Sequence, residues 1–171
     1  ENNKDYDSAL SLINDTKRIF SEDEEIKTRK ENILKLKEEQ TIQKYKESQK
    51  ITVVSTRVSK SYIFNQAFVT VKNNTDSVVK EYVVGILQFD SNGYPVNNTY
   101  SNLDGKGNLK KGRADTPNIQ PGALYGSNYY WDIESEATKI KACVISAEFY
   151  DGTSWTNPYF NYWLEAEKDR Y

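Results

Sequence analysis

Residues 139–158, KIKACVISAEFYDGTSWTNP, decide the fold. From Lys139 to Tyr150 apolar residues fill both alternating registers, with Cys143 and Ile145 in one register and Val144 in the other. Period-2 alternation with β-branched and aromatic residues is typical of a strand. Apolar side chains on both registers indicate a central strand of a sheet, covered on one face and largely covered on the other.

A tight turn follows this strand directly. Asp151-Gly152 is a dipeptide typical of β-hairpin turns, because glycine adopts a positive φ at little cost. The returning strand is predicted from Thr153 to Tyr159 and ends near Pro158, which has no amide donor for the ladder. Trp155 would then lie over the side chains of the inner strand.

The same alternation recurs upstream in the chain. The predicted strands are Ile51–Ser59, Tyr62–Lys72, Val78–Asp90, an edge segment at Tyr94–Val96, and Ala123–Ile133. Gly85 indicates a bulge or close packing, and residues 100–122 are predicted to form a long loop with a short strand around Leu109. Roughly seven strands joined by polar turns indicate an immunoglobulin-like antiparallel β-sandwich. The tail after Tyr159 is predicted to be a last strand or a short helix.

The first 49 residues have a different pattern, without glycine or proline. One helical stripe is formed by Tyr6, Ala9, Leu10, Ile13 and Phe20. Ser21 and Glu24 form a capping-box pattern that begins a second helix, predicted from about Glu22 to Ser48. Its thin apolar stripe of Ile26, Ile33 and Leu36 predicts docking onto the first helix or onto a second copy. The predicted fold is therefore α+β, with an N-terminal helical hairpin (1–49) followed by the sandwich (50–171).

The composition excludes several chemistries. The 171 residues include no histidine, so a Ser-His-Asp triad, a Cys-His pair and a histidine metal site are ruled out. The single cysteine forms no intrachain disulfide, and Cys143 is predicted to be a buried small residue rather than a reactive thiol. The net charge is −2, and the numbers of basic and acidic residues indicate no basic face. Nucleic acid is therefore not a predicted partner. No cofactor is indicated.

The chain has no apolar run of the length that spans a membrane, roughly 20 residues. It begins at Glu1 and contains no methionine, so we expect that a signal or anchor segment could have been removed. Membrane association is accordingly predicted only through an anchor outside this chain.

Several motifs occur in a familiar order. They are VTVKNNT at 69–75, VGILQFDSNGYPV at 84–96, the IQPG turn at 119–122 and YDGTSWTNP at 150–158. This order resembles a family of uncharacterised secreted β-sandwich domains and lipoproteins of Gram-positive (Firmicutes) bacteria, with a looser similarity to FxLYD-type domains. The resemblance covers residues 51–160. It implies a domain of unknown function in an extracellular or cell-surface protein, and it brings no established activity.

An aromatic surface is the first candidate site. Its predicted members are Tyr129, Tyr130, Trp131, Trp155, Tyr159, Tyr162 and Trp163. Aromatic rings provide a large contact area with few rotamers to fix, which suits stacking on sugars or seating a peptide. Burial of about half of these rings in the sandwich core is the alternative, because alternation places every second ring inside.

Two further groups are candidate sites. Asp90 with Asn92, and Asp104 with Asn108, supply oxygen ligands for Ca²⁺, although turn chemistry explains both pairs. A local basic loop is formed by Lys106, Lys110, Lys111 and Arg113. It could meet anionic wall polymer or lipid headgroups, whereas an ordinary solvated loop is the alternative.

These patterns predict a non-enzymatic, extracytoplasmic accessory or protein-interaction module, with protein or cell-wall polymer as partner. The alternative is a carbohydrate-binding or adhesion module that uses the aromatic surface. The third hypothesis is an enzyme, which would have to be a hydrolase with Tyr, Asp and Glu as its catalytic residues.

Overall fold

The computed structural model describes residues 5–16, 24–99 and 107–171. Two helices, α1 (Tyr6–Thr16) and α2 (Glu24–Glu47), precede the strands. The strands are β1 (Ile51–Ser59), β2 (Asn65–Asn73), β3 (Val79–Phe89), β4 (Leu109–Ile119), β5 (Leu124–Tyr125), β6 (Tyr130–Ile133), β7 (Lys139–Phe149) and β8 (Ser154–Thr156). A last helix, α3 (Phe160–Glu167), resolves the strand-or-helix alternative for the tail. The predicted α+β fold, a helical hairpin followed by an antiparallel two-sheet sandwich, is confirmed.

The chain divides into two compact units between Glu47 and Ser48. In the first unit, Asp5 caps α1 by accepting a hydrogen bond from the amide of Ser8 at 3.0 Å. Lys37 pairs with Asp7, and Lys30 donates to Asn14 at 3.1 Å, which sets α1 antiparallel to α2. The predicted capping box at Ser21 and the end of the first stripe at Phe20 lie outside the described residues.

The stripe predicted on the second helix is only partly covered. Ile26 and Ile33 are half-buried, whereas Leu36 is exposed. No residue of α2 is buried. Docking of this helix onto a second copy stays a prediction.

The second unit contains two four-stranded antiparallel sheets. In sheet A, β2 pairs with β1 on one side and with β5 and β6 on the other. In sheet B the order is β4-β3-β7-β8. The stretch with the densest apolar alternation, β7, therefore lies between two neighbours, and the Asp151-Gly152 turn connects it to β8 as predicted.

One extra residue in β7 explains why both of its registers are apolar. Val83 pairs with Ser146 while Val84 pairs with Val144, so Ile145 is unpaired in a β-bulge. The bulge shifts the alternation by one residue. Core-facing positions before the bulge and after it, such as Val144 and Ala147, therefore fall in opposite registers of the sequence.

The outer face of sheet B is covered by α3. Phe160 and Trp163 pack there against Leu87 and Cys143 in a second apolar cluster, separate from the core between the sheets. A Cβ atom at Gly85 would lie 2.6 Å from the ring of Phe160, so the close-packing prediction for this glycine is confirmed. The absence of a side chain at Gly85 therefore lets the helix lie directly on the strand.

The long loop predicted for 100–122 was wrong for residues 110–118, although the prediction placed a short strand around Leu109. Residues 109–119 form the full strand β4, which pairs with β3 from Leu87↔Leu109 to Val79↔Ile119. Its buried residues are few, because charged side chains alternate with Ala114 and Gly112. Backbone pairing with β3 therefore compensates for the weak hydrophobic pattern.

Near its end, the edge strand β4 is distorted. Thr116 and Asn118 have φ values of 53° and 52°, on either side of Pro117. A β-branched residue in the left-handed region is strained, and proline has no amide to donate. The ladder with β3 skips these residues, passing from Asp115 to Ile119.

Two other boundaries differ from the prediction. The segment from Tyr94 to Val96 makes a single bridge, Phe89↔Pro95, instead of an edge strand. The strand predicted for 123–133 is split into β5 and β6 by a turn that starts at Gly126, where φ is +102°. A Cβ atom at Gly126 would lie 2.1 Å from the carbonyl oxygen of Val69, so the chain crosses β2 where only glycine fits.

We expect Gly85→Ala to destabilise the protein by about 1–3 kcal/mol, because the added methyl group overpacks the ring of Phe160. Urea unfolding followed by circular dichroism measures this loss. Phe160→Leu in the Gly85→Ala background should recover part of it. Strict additivity of the two substitutions would contradict the packing that we describe.

The turn after β7 is held by Asp151. Its carboxylate accepts hydrogen bonds from the Ser77 hydroxyl at 2.6 Å and from the Thr153 hydroxyl at 2.6 Å and amide at 2.9 Å. These donors lower the pKa of Asp151 to about 2, with Ser77 as the largest cause. The charged carboxylate therefore stabilises the folded state above the ordinary pKa of 3.8, and this contribution is lost as the pH falls towards 2.

Asp151→Asn should therefore lower the thermal unfolding midpoint at neutral pH, and the difference from the native chain should close between the ordinary pKa of 3.8 and about 2. Melting curves across a pH series test this. A constant difference at every pH would show that charge is not the cause.

Candidate functional site

The predicted aromatic surface is distributed over three places. Tyr129, Tyr130 and Trp131 lie at β6, Trp155 lies on β8, and Tyr159, Tyr162 and Trp163 lie at α3. The first group belongs to sheet A, whereas β8 belongs to sheet B. The seven rings therefore do not share one strand or helix.

Trp131 joins the two sheets at one edge of the sandwich. Its ring lies on Gly112 of β4, where a Cβ atom would be 2.7 Å away, and its indole N–H donates to the carbonyl of Arg113 at 3.1 Å. The Tyr129 hydroxyl donates to the same carbonyl at 3.4 Å. These two rings satisfy a backbone acceptor on an edge strand, which is a structural task.

The aromatic residues near α3 are also largely inside. Trp163 is 8% exposed and lies 5.6 Å from the ring of Phe160, centroid to centroid. Trp155 packs against the core between the sheets. Tyr159 is half-buried, and burial raises the pKa of its hydroxyl. Tyr162 is partly exposed.

Tyr130, a residue of the predicted aromatic surface, is exposed to solvent and lies in a row of paired residues across sheet A. Across sheet A, Arg57 pairs with Phe68, and Phe68 pairs with Tyr130. The guanidinium carbon of Arg57 lies 3.8 Å from the Phe68 centroid, and the two rings are 5.7 Å apart at 47°. Because the rings are tilted and Arg57 covers one of them, this row is not a flat stacking platform.

Three consecutive exposed apolar residues lie in the connection between β1 and β2. We call Tyr62, Ile63 and Phe64 the apolar tip; they are 101%, 67% and 41% exposed. Connections of this kind are usually polar, and consecutive exposed apolar side chains mark interaction surfaces. The sequence prediction placed these residues at the start of the second strand. A run of three apolar residues breaking the alternation was the available signal.

The base of the apolar tip is fixed by Asn65, which is 4% exposed. Its side-chain amide donates to the carbonyls of Ser135 and Ala137, each at 2.9 Å, and its oxygen accepts from the amide of Ser61 at 3.4 Å. A buried amide with this many partners has a defined position. The tip therefore projects from a well-held base.

Carboxylates lie beside that base. We call Asp132, Glu134 and Glu136 the acidic rim; they lie at the end of β6 and in the turn that Asn65 contacts. Asp132 pairs with Gln66, next to Asn65, across the strands. The exposed residues Asp132 and Glu136 face solvent, whereas Glu134 is half-buried.

Glu134 also forms hydrogen bonds within the protein. Its carboxylate accepts from the amide and the hydroxyl of Thr99 at 2.9 and 2.7 Å. Its own amide donates to the fully buried Gln88 at 2.8 Å. This carboxylate therefore positions the connection that follows β3.

A family profile described as a family of unknown function, DUF5780, matches residues 66–170, more than half of the chain. The chain belongs to the DUF5780 family. Residues 66–170 include Asn65's neighbours in β2, the acidic rim and α3.

A solved structure shows the same fold as this DUF5780 chain. It is a 1.85 Å X-ray structure of a hypothetical protein from Peptoclostridium difficile 630, with a TM-score of 0.55 and 12% identity. The similarity covers 72% of this chain and 93% of that chain. No curated protein matches the sequence. Among the described residues, none of the helices has the length and apolarity needed to cross a bilayer.

The other predicted sites have local structural explanations. One carboxylate oxygen of Asp90 accepts from the amides of Asn92 and Tyr94 at 2.8 and 2.9 Å, as in an Asx turn. In the second predicted pair, Asp104 with Asn108, Asp104 lies outside the described residues. Within the described parts of the chain, no group of three His, Cys, Asp or Glu side chains is placed to hold a metal.

The basic loop is mostly strand. Lys110, Lys111 and Arg113 lie on β4, and Lys106 lies outside the described residues. Arg113 forms ion pairs with Glu81 at 2.5 Å and Asp115 at 2.8 Å, and these carboxylates raise its pKa. Because opposite charges neutralise Arg113 on the same sheet, the group is not a purely basic patch.

Cys143 is buried beneath polar partners. Its sulfur accepts from the side-chain amide of Asn157 at 3.5 Å, and that amide also donates to Gln49 at 3.0 Å. Burial raises the thiol pKa to about 12, although the Asn157 hydrogen bond acts in the opposite direction. A thiolate, the nucleophilic form, is therefore scarce at neutral pH.

We expect the Cys143 thiol to react with a disulfide reagent such as Ellman's reagent only after unfolding, because burial keeps it protonated and inaccessible. Labelling rates of the native chain and of the guanidinium-unfolded chain provide the comparison. Equal rates in the two states would contradict the burial of this thiol.

Proposed function

We propose that this DUF5780 chain is a non-enzymatic protein-interaction module that acts outside the cytoplasm and binds its partner through the apolar tip. The observation that carries this proposal is the exposure of Tyr62, Ile63 and Phe64 on a base fixed by Asn65. Apolar area kept in water is unfavourable, and a partner that covers it recovers that free energy.

The magnitudes indicate how much of the surface must take part. Full burial of three such side chains contributes roughly 4–9 kcal/mol. Association costs about 4–15 kcal/mol before any affinity results. The tip alone is therefore too small for a stable complex. Additional contact area is supplied by Tyr130, which is 47% exposed. Tyr130 pairs with Phe68, two residues after Gln66 on β2.

The chemistry of the sequence supports a role without catalysis. The chain has no histidine, and its single thiol is buried with a raised pKa. The motifs that resemble secreted domains and lipoproteins of Gram-positive bacteria support an extracellular or cell-surface location. Protease treatment of intact producing cells tests that location, since a protected chain would contradict it.

Carbohydrate binding is the weaker proposal. It rests on the exposed ring of Tyr130, but the tilt of 47° to Phe68 and the cover of Arg57 leave little flat surface for a pyranose ring. Trp131 and Trp163, the strongest stacking residues of the predicted set, are used inside the structure.

The proposal is tested by photo-crosslinking in cells that produce the protein, with p-benzoylphenylalanine in place of Tyr62. We expect a light-dependent adduct with another protein, and we expect Ile63→Ser with Phe64→Ser to abolish it, because both substitutions remove apolar contact area.

The matched control places the same photoreactive residue at Tyr150, which is also exposed. The strand β7 has eleven residues and begins near the turn that Asn65 contacts. Tyr150 follows the other end of β7, so it lies about 35 Å from the base of the apolar tip. An adduct that forms equally at both positions, or at neither, would refute docking through the tip.

A further inference from the structure

We infer that the partner of the apolar tip is a protein surface with an apolar pocket and a basic rim. This inference rests on the proposed function and adds the charge of the partner. The supporting observation is the position of the acidic rim beside the base of the tip.

Backbone pairing places these carboxylates next to the tip. Asp132 lies opposite Gln66 on the neighbouring strand, and strands are about 4.8 Å apart. Glu136 is between Ser135 and Ala137, whose carbonyls bind the Asn65 amide at 2.9 Å. Both carboxylates are exposed, so they would meet any surface that covers the tip.

The nearby cations do not balance this charge. Lys60 immediately precedes the loop, and Arg57 is stacked on Phe68 in the row beside it. Against these two positive charges stand the three carboxylates of the acidic rim, which leaves an excess of one negative charge. Lys139 follows the same turn, but it lies on β7 of sheet B with its ammonium nitrogen 5.2 Å from the Tyr171 ring centroid. A partner with cations at the edge of its pocket complements this pattern.

The same charges argue against two other occupants. Anionic lipid surfaces attract clusters of Lys and Arg, whereas here carboxylates border the apolar side chains. A second copy docked tip to tip would bring the two acidic rims together, and like charges repel. A protein with a basic rim is the occupant that satisfies both the apolar and the charged parts.

The test uses the full chain with the photoreactive residue at position 62 and the double variant Asp132→Asn with Glu136→Gln. Glu134 is left intact because it holds Thr99. We expect the yield of the protein adduct to fall roughly 2- to 30-fold, the range for two exposed ion pairs. Added salt should lower the yield of the unmodified chain in the same direction.

The matched control is Asp76→Asn with Glu148→Gln, which changes the net charge equally at two exposed positions outside the rim. Its adduct yield should stay at the native level. A yield that does not change in the rim variant would overturn the basic partner while leaving the interaction module intact. Absence of any adduct in the native chain would refute the proposed function itself.

A second measurement distinguishes lipid from protein. The full chain is floated with vesicles of phosphatidylcholine and phosphatidylglycerol, and we expect it to stay in the protein fraction. Flotation that is lost in the Ile63→Ser, Phe64→Ser variant would identify a membrane as the occupant and would overturn the inference. Adducts between two copies of this chain would do the same.

Discussion

The pairing of β3 with β7 is the constraint on which the sandwich depends. Each of these inner strands presents one face to the core between the sheets and the other to the cluster under α3. The two faces are joined through the same backbone ladder, which runs from Val79↔Phe149 to Phe89↔Lys139. Gly85 allows α3 to cover the outer face of sheet B, because its lack of a side chain leaves room for the ring of Phe160. The helix and the opposite sheet therefore stabilise one another through two strands.

The aromatic richness of the chain is largely structural. Trp131 donates to an edge carbonyl of β4, and Trp163 packs between α3 and sheet B. Tyr82 is fully buried, its hydroxyl has no hydrogen-bond partner among the described residues, and burial raises its pKa. Rings that attach one sheet to another cannot also present their faces to a ligand. The surface left for recognition is instead a short connection, where side chains are displayed without a role in packing.

Much of the fold could be predicted from the sequence, because period-2 alternation depends on local burial. The bounds of Ile51–Ser59 were predicted correctly, and the central strand was placed to within one residue. Alternation alone could not predict the bulge at Ile145, since an extra residue changes the register without changing composition. Only a short strand around Leu109 was predicted where β4 lies, because pairing with β3, rather than the apolar residues of β4 itself, defines the full strand. The apolar tip was missed because exposure depends on where the strand begins, and this is fixed by the contacts of Asn65 with a turn 70 residues away.

The distorted end of β4 has a consequence for how molecules of this kind behave when crowded. Thr116 and Asn118 with left-handed backbone, and Pro117 without an amide, break the row of donors and acceptors that an incoming strand would need. Sheets of neighbouring molecules therefore cannot continue their ladder along this end of β4. Contacts with other molecules at residues 116–118 must be made by side chains.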